Sequence, residues 1–355
     1  MAVYTTIDNP ELYFQTKLYT GNGSSGHAQT FDGDENMQPD LVWMKNRDAT
    51  GEHFLIDSVR GVTKDIHSNT TAAEGTDANS LTAFGTNGFT VGSQGDINGN
   101  TEKMVAWAWK AGTAFSNDAS ATSIGSVDSS GSVSTTAGFS ICSYTGNGTA
   151  GATIKHGLDK TPEMLIFKNR TSVITWIVGT KPSSFTTILF LQGTDAATDD
   201  NNAFNDTNPS SSVFTLGGNL GTGTNETSSN FICYAFASIQ GYSKISKYTA
   251  NGNADGAYVH LGFRPAFLMI KNITSGSTNW HLYDNKRLGY NVDNNMQRPN
   301  LNTADQTDDD LDLLSNGFKI RRVTSALNTD GNNYVYMAFA EQPFVNSNGV
   351  PCNAR

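Results

Sequence analysis

The sequence predicts an all-β protein of three tandem, homologous antiparallel units, each a β-sandwich or jelly-roll-like domain. Three observations predict it. First, one stretch is written three times: PDLVWMKNR at Pro39–Arg47, PEMLIFKNR at Pro162–Arg170 and PAFLMIKNI at Pro265–Ile273. Second, its flanks recur in the same order at nearly the same spacing. From the proline to the phenylalanine of a later GFTVG, VFTLG or GFKIR stretch the distances are 89 − 39 = 50, 214 − 162 = 52 and 318 − 265 = 53 residues. Third, only 16% of residues are charged while Gly, Ser, Thr, Asn and Asp are abundant, a composition that favours strands and turns over helices.

The elements follow in order within each unit. An alternating strand opens it, YFQTKLY at Tyr13, GFSICSY at Gly138 or GYSKISKY at Gly241. YTGNG, YTGNG or YTANG then turns the chain with residues that tolerate positive φ. The repeated stretch comes next. Its proline fixes φ and donates no hydrogen bond, so it belongs at a strand start. Its apolar run reads as a strand buried on both faces, and Lys-Asn releases the chain into a polar turn. Each unit closes on VAWAW at Val105, ICYAF at Ile232 or VYMAF at Val335.

These signals place a lead-in at 1–12, unit 1 at 13–110, unit 2 at 139–240, unit 3 at 241–343 and a tail at 344–355. Residues 111–138 read either as a Ser/Thr/Gly-rich linker or as a short hairpin around Ser-Ser-Gly. The tight junction between units 2 and 3, set against the 28 residues between units 1 and 2, predicts an extended string rather than a closed ring. In that string unit 1 and the lead-in anchor the protein and units 2 and 3 form a rigid distal pair.

Net charge is −10 and no basic patch occurs, which argues against nucleic acid. No basic start with an apolar segment opens the chain and no run of about 20 apolar residues occurs, so a soluble protein made in the cytoplasm is expected, without membrane insertion. Cys142, Cys233 and Cys352 do not make a disulfide framework. The first two, on strands that could be neighbours, read as small buried hydrophobes. Asp308–Asp310 lacks the alternation of a calcium loop, and no metal or cofactor is expected. No catalytic motif occurs, and the expectation is that the chain is not an enzyme.

One further recurrence suggests binding. Unit 1 carries His53 and Phe54 ahead of Asp57 and Arg60, and unit 3 carries Trp280 and His281 ahead of Asp284 and Arg287. Unit 2 has Trp176 and then Lys181 without the acid. An aromatic strand leading to Asp-x-x-Arg can line a sugar site, with rings on sugar faces and the Asp/Arg fork on hydroxyls. The same residues also suit an internal salt bridge that fixes a loop. His53, Asp57, Arg60, Trp176, Trp280, Asp284 and Arg287 are therefore the candidate glycan-binding residues. His156 and His260, at related places before the second and third prolines, read as structural.

The stretches LYTGNG, DSVRG, HSNTTAAEGTDANSLTAFGTNGFTVGS, VAWAWKAG, GFSICSYTGNGTAGATIKHGL and MAFAEQPF, with the repeated strand, resemble a domain of unassigned function that recurs in marine bacteriophage proteins. The resemblance implies a lectin-like structural protein of a virion, assembled in the host cytoplasm. A tail fibre, tail tip or other surface appendage that binds host glycan and contacts other virion proteins is the first expectation. A head-decoration or architectural protein without ligand is the alternative, and a glycan-degrading enzyme a third reading. A homotrimer of strings is expected. The resemblance supplies no catalytic residues.

Overall fold

The recurring motifs are explained by what holds them. The hydroxyls of Tyr19, Tyr144 and Tyr248 donate to the carbonyls of Ile97, Thr224 and Leu327 at 2.7, 2.6 and 2.8 Å, on the far side of the same unit. The residue after each of those carbonyls is a buried asparagine, Asn98, Asn225 or Asn328. Its amide holds the turn: Asn98 receives Asn22 N–H, Asn225 receives Asn147 N–H, and Asn328 donates to Asn253 O. The approach demands glycine, because a Cβ on Gly146 would lie 2.3 Å from Glu226 O. In Lys-Asn the asparagine starts the turn: Asn46, Asn169 and Asn272 each accept two backbone N–H groups just downstream.

A computed structural model describes residues 4–218, 223–288, 291 and 294–352. Unit 1 contains β1 (Phe14–Thr20), β2 (His27–Gln29), β3 (Leu41–Asn46), β4 (Phe54–Asp57), β5 (Lys64–His67), β6 (Gly75–Thr76), β7 (Leu81–Gly85), β8 (Gly88–Val91) and β9 (Lys103–Trp109). Between the units lie β10 (Thr113–Asn117) and β11 (Ser129–Ser134). Unit 2 contains β12 (Phe139–Thr145), β13 (Thr153–Lys155), β14 (Met164–Asn169), β15 (Ile177–Thr180), β16 (Thr187–Phe190), β17 (Thr198–Asp199), β18 (Val213–Thr215) and β19 (Asn230–Phe236). Unit 3 contains β20 (Ser243–Thr249), β21 (Tyr258–His260), β22 (Phe263–Asn272), β23 (His281–Asp284), β24 (Asn294–Gln297), β25 (Gln306–Asp308), β26 (Leu311–Leu314), β27 (Gly317–Ile320) and β28 (Asn333–Pro343).

The all-β, antiparallel expectation holds. The large sheets run β1-β9-β3-β4-β5-β6, β12-β19-β14-β15-β16-β17 with β11 and β10 added outside β12, and β20-β28-β22-β23-β24-β25. The strand of the repeated stretch takes the same third place in each, next to the strand that closes its unit. Small sheets β2-β8-β7, β13-β18 and β21-β27-β26 cover one face of each. Between large and small sheet lies a separate core for each unit, with Val42 and Met44 in the first, Leu165 and Phe167 in the second and Leu268 and Ile270 in the third. Leu165 is fully buried there, so Leu165→Ala should cost about 2–5 kcal/mol in denaturant unfolding; a loss below about 1 kcal/mol would contradict that burial.

The other face of every large sheet is also buried, and here the extended string is corrected. One further core takes side chains from all three units, among them Leu41, Trp43, Trp107 and Trp109, Met164, Ile166, Tyr234 and Phe236, and Phe267, Met269, Met337 and Phe339. Strand register makes Trp109, Phe236 and Phe339 equivalent, since they face Leu41, Met164 and Phe267. Their rings form a triangle with centroid distances of 6.4, 5.7 and 5.9 Å. The units therefore close around a pseudo-threefold axis through these three rings.

The 28 residues that seemed to forbid a ring are not a spacer. β10 and β11 pair with each other and then with β12, extending the sheet of unit 2. The hairpin strands differ from the expected ones, because Ser129–Gly131 lies inside β11 rather than at its turn. The lead-in does not stand free beside unit 1 either: Tyr4 hydroxyl donates to Gly262 O in unit 3 at 2.8 Å, and Ser347 N–H in the tail donates to Asp8 at 2.6 Å. Cys142 and Cys233 are directly opposed on β12 and β19 and both are buried free thiols.

His156 and His260 are not equivalent. Register aligns His260 with Lys155, and the one-residue offset turns His156 inward and His260 outward. His156 is fully buried, 6.3 Å from the Phe214 ring, and burial pushes its pKa down to about 4. The unfolded ring binds a proton below about pH 6.5 whereas the native ring stays neutral down to about 4, so the unfolded state gains protons first as pH falls. Wild type should therefore lose stability relative to His156→Gln between pH 6.5 and 4, by about 1.4 kcal/mol per pH unit at most. Urea midpoints of the two proteins at pH 7 and 4.5 measure this, and a pH-independent difference would contradict it.

Candidate functional site

The seven candidate residues all lie in the interior, His53, Asp57, Trp176, Trp280, Asp284 and Arg287 almost completely and Arg60 at 8% exposure. A sugar cannot lie on them in this arrangement. They stand along the seams between units, and the geometry there is that of internal ion pairs.

In unit 1, Asp57 Oδ1 caps the N–H groups of Val59 and Arg60, and Arg60 Nε meets Asp57 Oδ2 at 2.5 Å. The guanidinium also donates to Leu55 O and Lys64 O. Burial works to lower the Arg60 pKa, but Asp57, Tyr234 and Glu74 outweigh it and the net direction is upward. The partner across the seam is Tyr234 of unit 2, whose hydroxyl donates to Asp57 Oδ2 at 2.7 Å. Unit 3 repeats the arrangement: Arg287 Nε meets Asp284 Oδ2 at 2.5 Å, and Trp107 Nε1 of unit 1 donates to the same oxygen at 2.9 Å. Arg287 also stacks over the Trp107 ring, 5.2 Å from its centroid.

Unit 2 shows why its acid is missing. Register places Asp57 opposite Leu41 and Asp284 opposite Phe267, and the residue opposite Met164 is Thr180. Three residues on, where Arg60 and Arg287 stand, is Ser183, and Thr180 and Ser183 bond each other at 2.8 Å. The residue equivalent to Tyr234 and Trp107 on the facing strand is Met337, which has no donor. A buried carboxylate facing methionine would lack the bond its two counterparts receive. Acid, arginine and donor are thus lost together.

A second pair follows the same division. The residue before the sixth strand of each large sheet, Glu74, Ala197 or Asp305, donates its N–H to the carbonyl of Arg170, Ile273 or Arg47 on the neighbouring unit, at 3.0, 3.1 and 2.8 Å. Side chains add the ion pairs Arg170–Glu74 and Arg47–Asp305, both 2.8 Å. The seam between units 2 and 3 has the apolar pair Ile273 and Ala197 instead, both packed against the central core. At this place two seams carry an ion pair and the third an apolar pair.

The tryptophans bind the same seams. Trp176 Nε1 donates to His67 O of unit 1, and Trp280 Nε1 to Phe190 O of unit 2, each at 2.9 Å. His53 holds the corresponding place in unit 1, accepts from Trp43 Nε1 at 3.0 Å and is kept neutral by burial, with the backbone of Arg298 in unit 3 beside it. The repeated lysines, Lys45, Lys168 and Lys271, are buried in one layer, and burial lowers each to about 8. Lys168 and Lys271 donate across their seams to Thr71 O and Thr194 O.

The seam partners Tyr234, Trp107, Glu74 and Asp305 are absent from the sequence-based candidates. Packing of the units against one another identifies them, through bonds that cross the seams, and the repeat alignment alone marks only their positions. Among the described residues no group of three or more His, Cys, Asp or Glu is placed to hold a metal ion. No helix among them is long and apolar enough to cross a membrane.

Fold and seams together define a class: a single-chain β-sandwich assembly with internal pseudo-threefold closure, its units joined by ion pairs and buried hydrogen bonds across their seams. The chain belongs to the family described as a domain of unknown function, DUF7483, whose model matches residues 9–343 and so spans all three units. No curated protein and no solved structure matches the chain.

Proposed function

We propose that the chain is a structural protein of a bacteriophage virion, displayed as a tail fibre, tail tip or other surface appendage, and that it contacts host glycan. The observation that carries the reading is the closed pseudo-threefold axis: one chain presents the outline of a trimer, a shape suited to a symmetry axis of a particle. The sequence resemblance to phage proteins, the low charge and the interlocked β-structure agree with it. On this reading one chain replaces the trimer of strings, and docks as a monomer against other virion proteins. Light scattering should then give a mass near 38 kDa, and a value three times larger would overturn the replacement.

Immunogold labelling of virions tests the location: tail label is expected, and virions without label would refute the reading. The alternative, a head-decoration or architectural protein without ligand, draws on the use of all seven candidate residues inside the molecule. Head label together with no retention on host polysaccharide would favour it.

A further inference from the structure

The repeat provides internal controls, and at one end of unit 3 three positions depart from them together. Phe54, Ile177 and His281 are equivalent, facing Met44, Phe167 and Ile270 in register. In unit 1 the next strand covers Phe54 with His67, ring centroids 4.4 Å apart, and in unit 2 it pairs Ile177 with Phe190. In unit 3 Leu282 faces Gln297, so the register continued by one residue brings Arg298 to that place. A position packed with rings and aliphatic carbon in units 1 and 2 thus holds a histidine and an arginine in unit 3.

The third departure is an acid. Each unit makes the same turn at the end of the sixth strand of its large sheet. There Asp77, Asp200 and Asp308 accept the N–H two residues on, from Asn79, Asn202 and Asp310, at 2.8, 2.8 and 3.2 Å. Units 1 and 2 therefore follow the aspartate with a neutral amide, while unit 3 sets two carboxylates against each other. Asp309, between them, points outward and pairs with Arg322 at 2.9 Å, and Asp310 is only 4% exposed.

His281, Arg298, Asp308 and Asp310 line one cleft of about 300 Å³. This is at the lower end of the range for small-ligand sites, roughly 300–1,000 Å³. Two of its groups lack partners. His281 is 5% exposed and its Nδ1 lies 3.4 Å from the Tyr283 hydroxyl, but its Nε2 has no partner among the described residues and borders the cleft. Arg298, partly exposed on the same cleft, makes no ion pair among the described residues. An unpaired histidine nitrogen and an unpaired arginine beside two crowded carboxylates do little for stability, and they are convergent polar groups of the kind that orient a ligand.

Charge narrows the ligand. Burial and the Asp310 charge push Asp308 up to about 7, and burial raises Asp310 too, so near neutral pH the two hold about one proton between them. Burial lowers His281 to about 3 and keeps it neutral. Arg322 is answered by Asp309, which leaves the charge on Arg298 to balance that on the acid pair. The cleft as a whole is close to neutral, mixes donors with acceptors, and has Ala326 as its one apolar residue. A neutral ring bearing neighbouring hydroxyls matches it, because each hydroxyl both donates and accepts.

We infer that the unit 3 cleft binds one neutral sugar residue, whose hydroxyls donate to Asp308 and Asp310 and accept from Arg298, with His281 Nε2 as a further partner. The inference rests on the proposed glycan contact and gives it a site that the Asp-x-x-Arg motif does not mark.

Two substitutions borrow side chains already used at equivalent places: Asp310→Asn copies Asn79 and Asn202, and Arg298→His copies His67. The probes are the methyl glycosides of glucose, galactose, mannose and N-acetylglucosamine, with methyl glucuronide as the charged comparison, titrated by saturation-transfer NMR on the full chain. At least one neutral glycoside should bind wild type, and each variant should weaken it by about tenfold or more, the loss expected for a hydrogen bond to a charged group. Thermal unfolding shows which variants fold, and either alone decides the matter if the other does not. No binding of any neutral glycoside, or binding undiminished in either folded variant, overturns the site. Tighter binding of the glucuronide overturns the assignment of a neutral ligand. Retention of polysaccharide prepared from a host strain separates this from the wider reading. Equal retention by wild type and both variants would refute the cleft and leave glycan contact standing. Methyl glycoside binding that the variants abolish, without any retention of host polysaccharide, would uphold the cleft and refute host attachment.

Discussion

Trp109→Ala is expected to lower the stability of the whole molecule by about 3–5 kcal/mol, the range for removing a large aromatic from a core. Trp109 is 1% exposed and stands on the pseudo-axis against Phe236 and Phe339 of the other two units. It also meets Phe14 and Phe267, so truncation removes contacts made to two units besides its own. The loss should therefore be felt by all three. Denaturant unfolding followed by hydrogen exchange at amides of β3, β14 and β22 should show protection falling together in the variant. Destabilisation confined to unit 1 would mean the units are energetically separate despite the shared core.

Asp57→Thr should cost about 3–5 kcal/mol, because it leaves the Arg60 guanidinium buried without its carboxylate. The molecule itself suggests the repair. At the seam between units 2 and 3 the same three places hold Thr180, Ser183 and Met337. Adding Arg60→Ser and Tyr234→Met to Asp57→Thr copies that set, and the triple variant should return to within about 1.5 kcal/mol of wild type, as when a buried ion pair gives way to a matched neutral set. A triple variant no more stable than Asp57→Thr would show that the ionised and neutral sets are not interchangeable solutions. Equilibrium unfolding of wild type, single and triple variants decides it.

The same comparison explains how much of the site was legible. Asp-x-x-Arg, repeated in units 1 and 3, announces a carboxylate and a guanidinium within reach of each other, and that much is correct. Whether the fork faces sugar or protein depends on what covers it, and the cover comes from Tyr234 and Trp107, 177 residues away in each case. A sequence motif describes neighbours along the chain. The decisive neighbour here belongs to another unit, and no local pattern reports how the units pack.

The sequence by itself determined the all-β class, the threefold recurrence of its strands along the chain, the turns and the fact that the central strands are apolar on both faces, because these follow from local periodicity and turn chemistry. A hydrophobic face must be buried, yet the hydrophobic effect is non-directional, so the pattern does not say against what. Only the tertiary structure decided that the second face of each sheet packs on the other two. Residues 111–138 show the consequence. Read as a length of chain they separate units 1 and 2, and folded as β10 and β11 along the edge of unit 2 they use up that length and let the ring close.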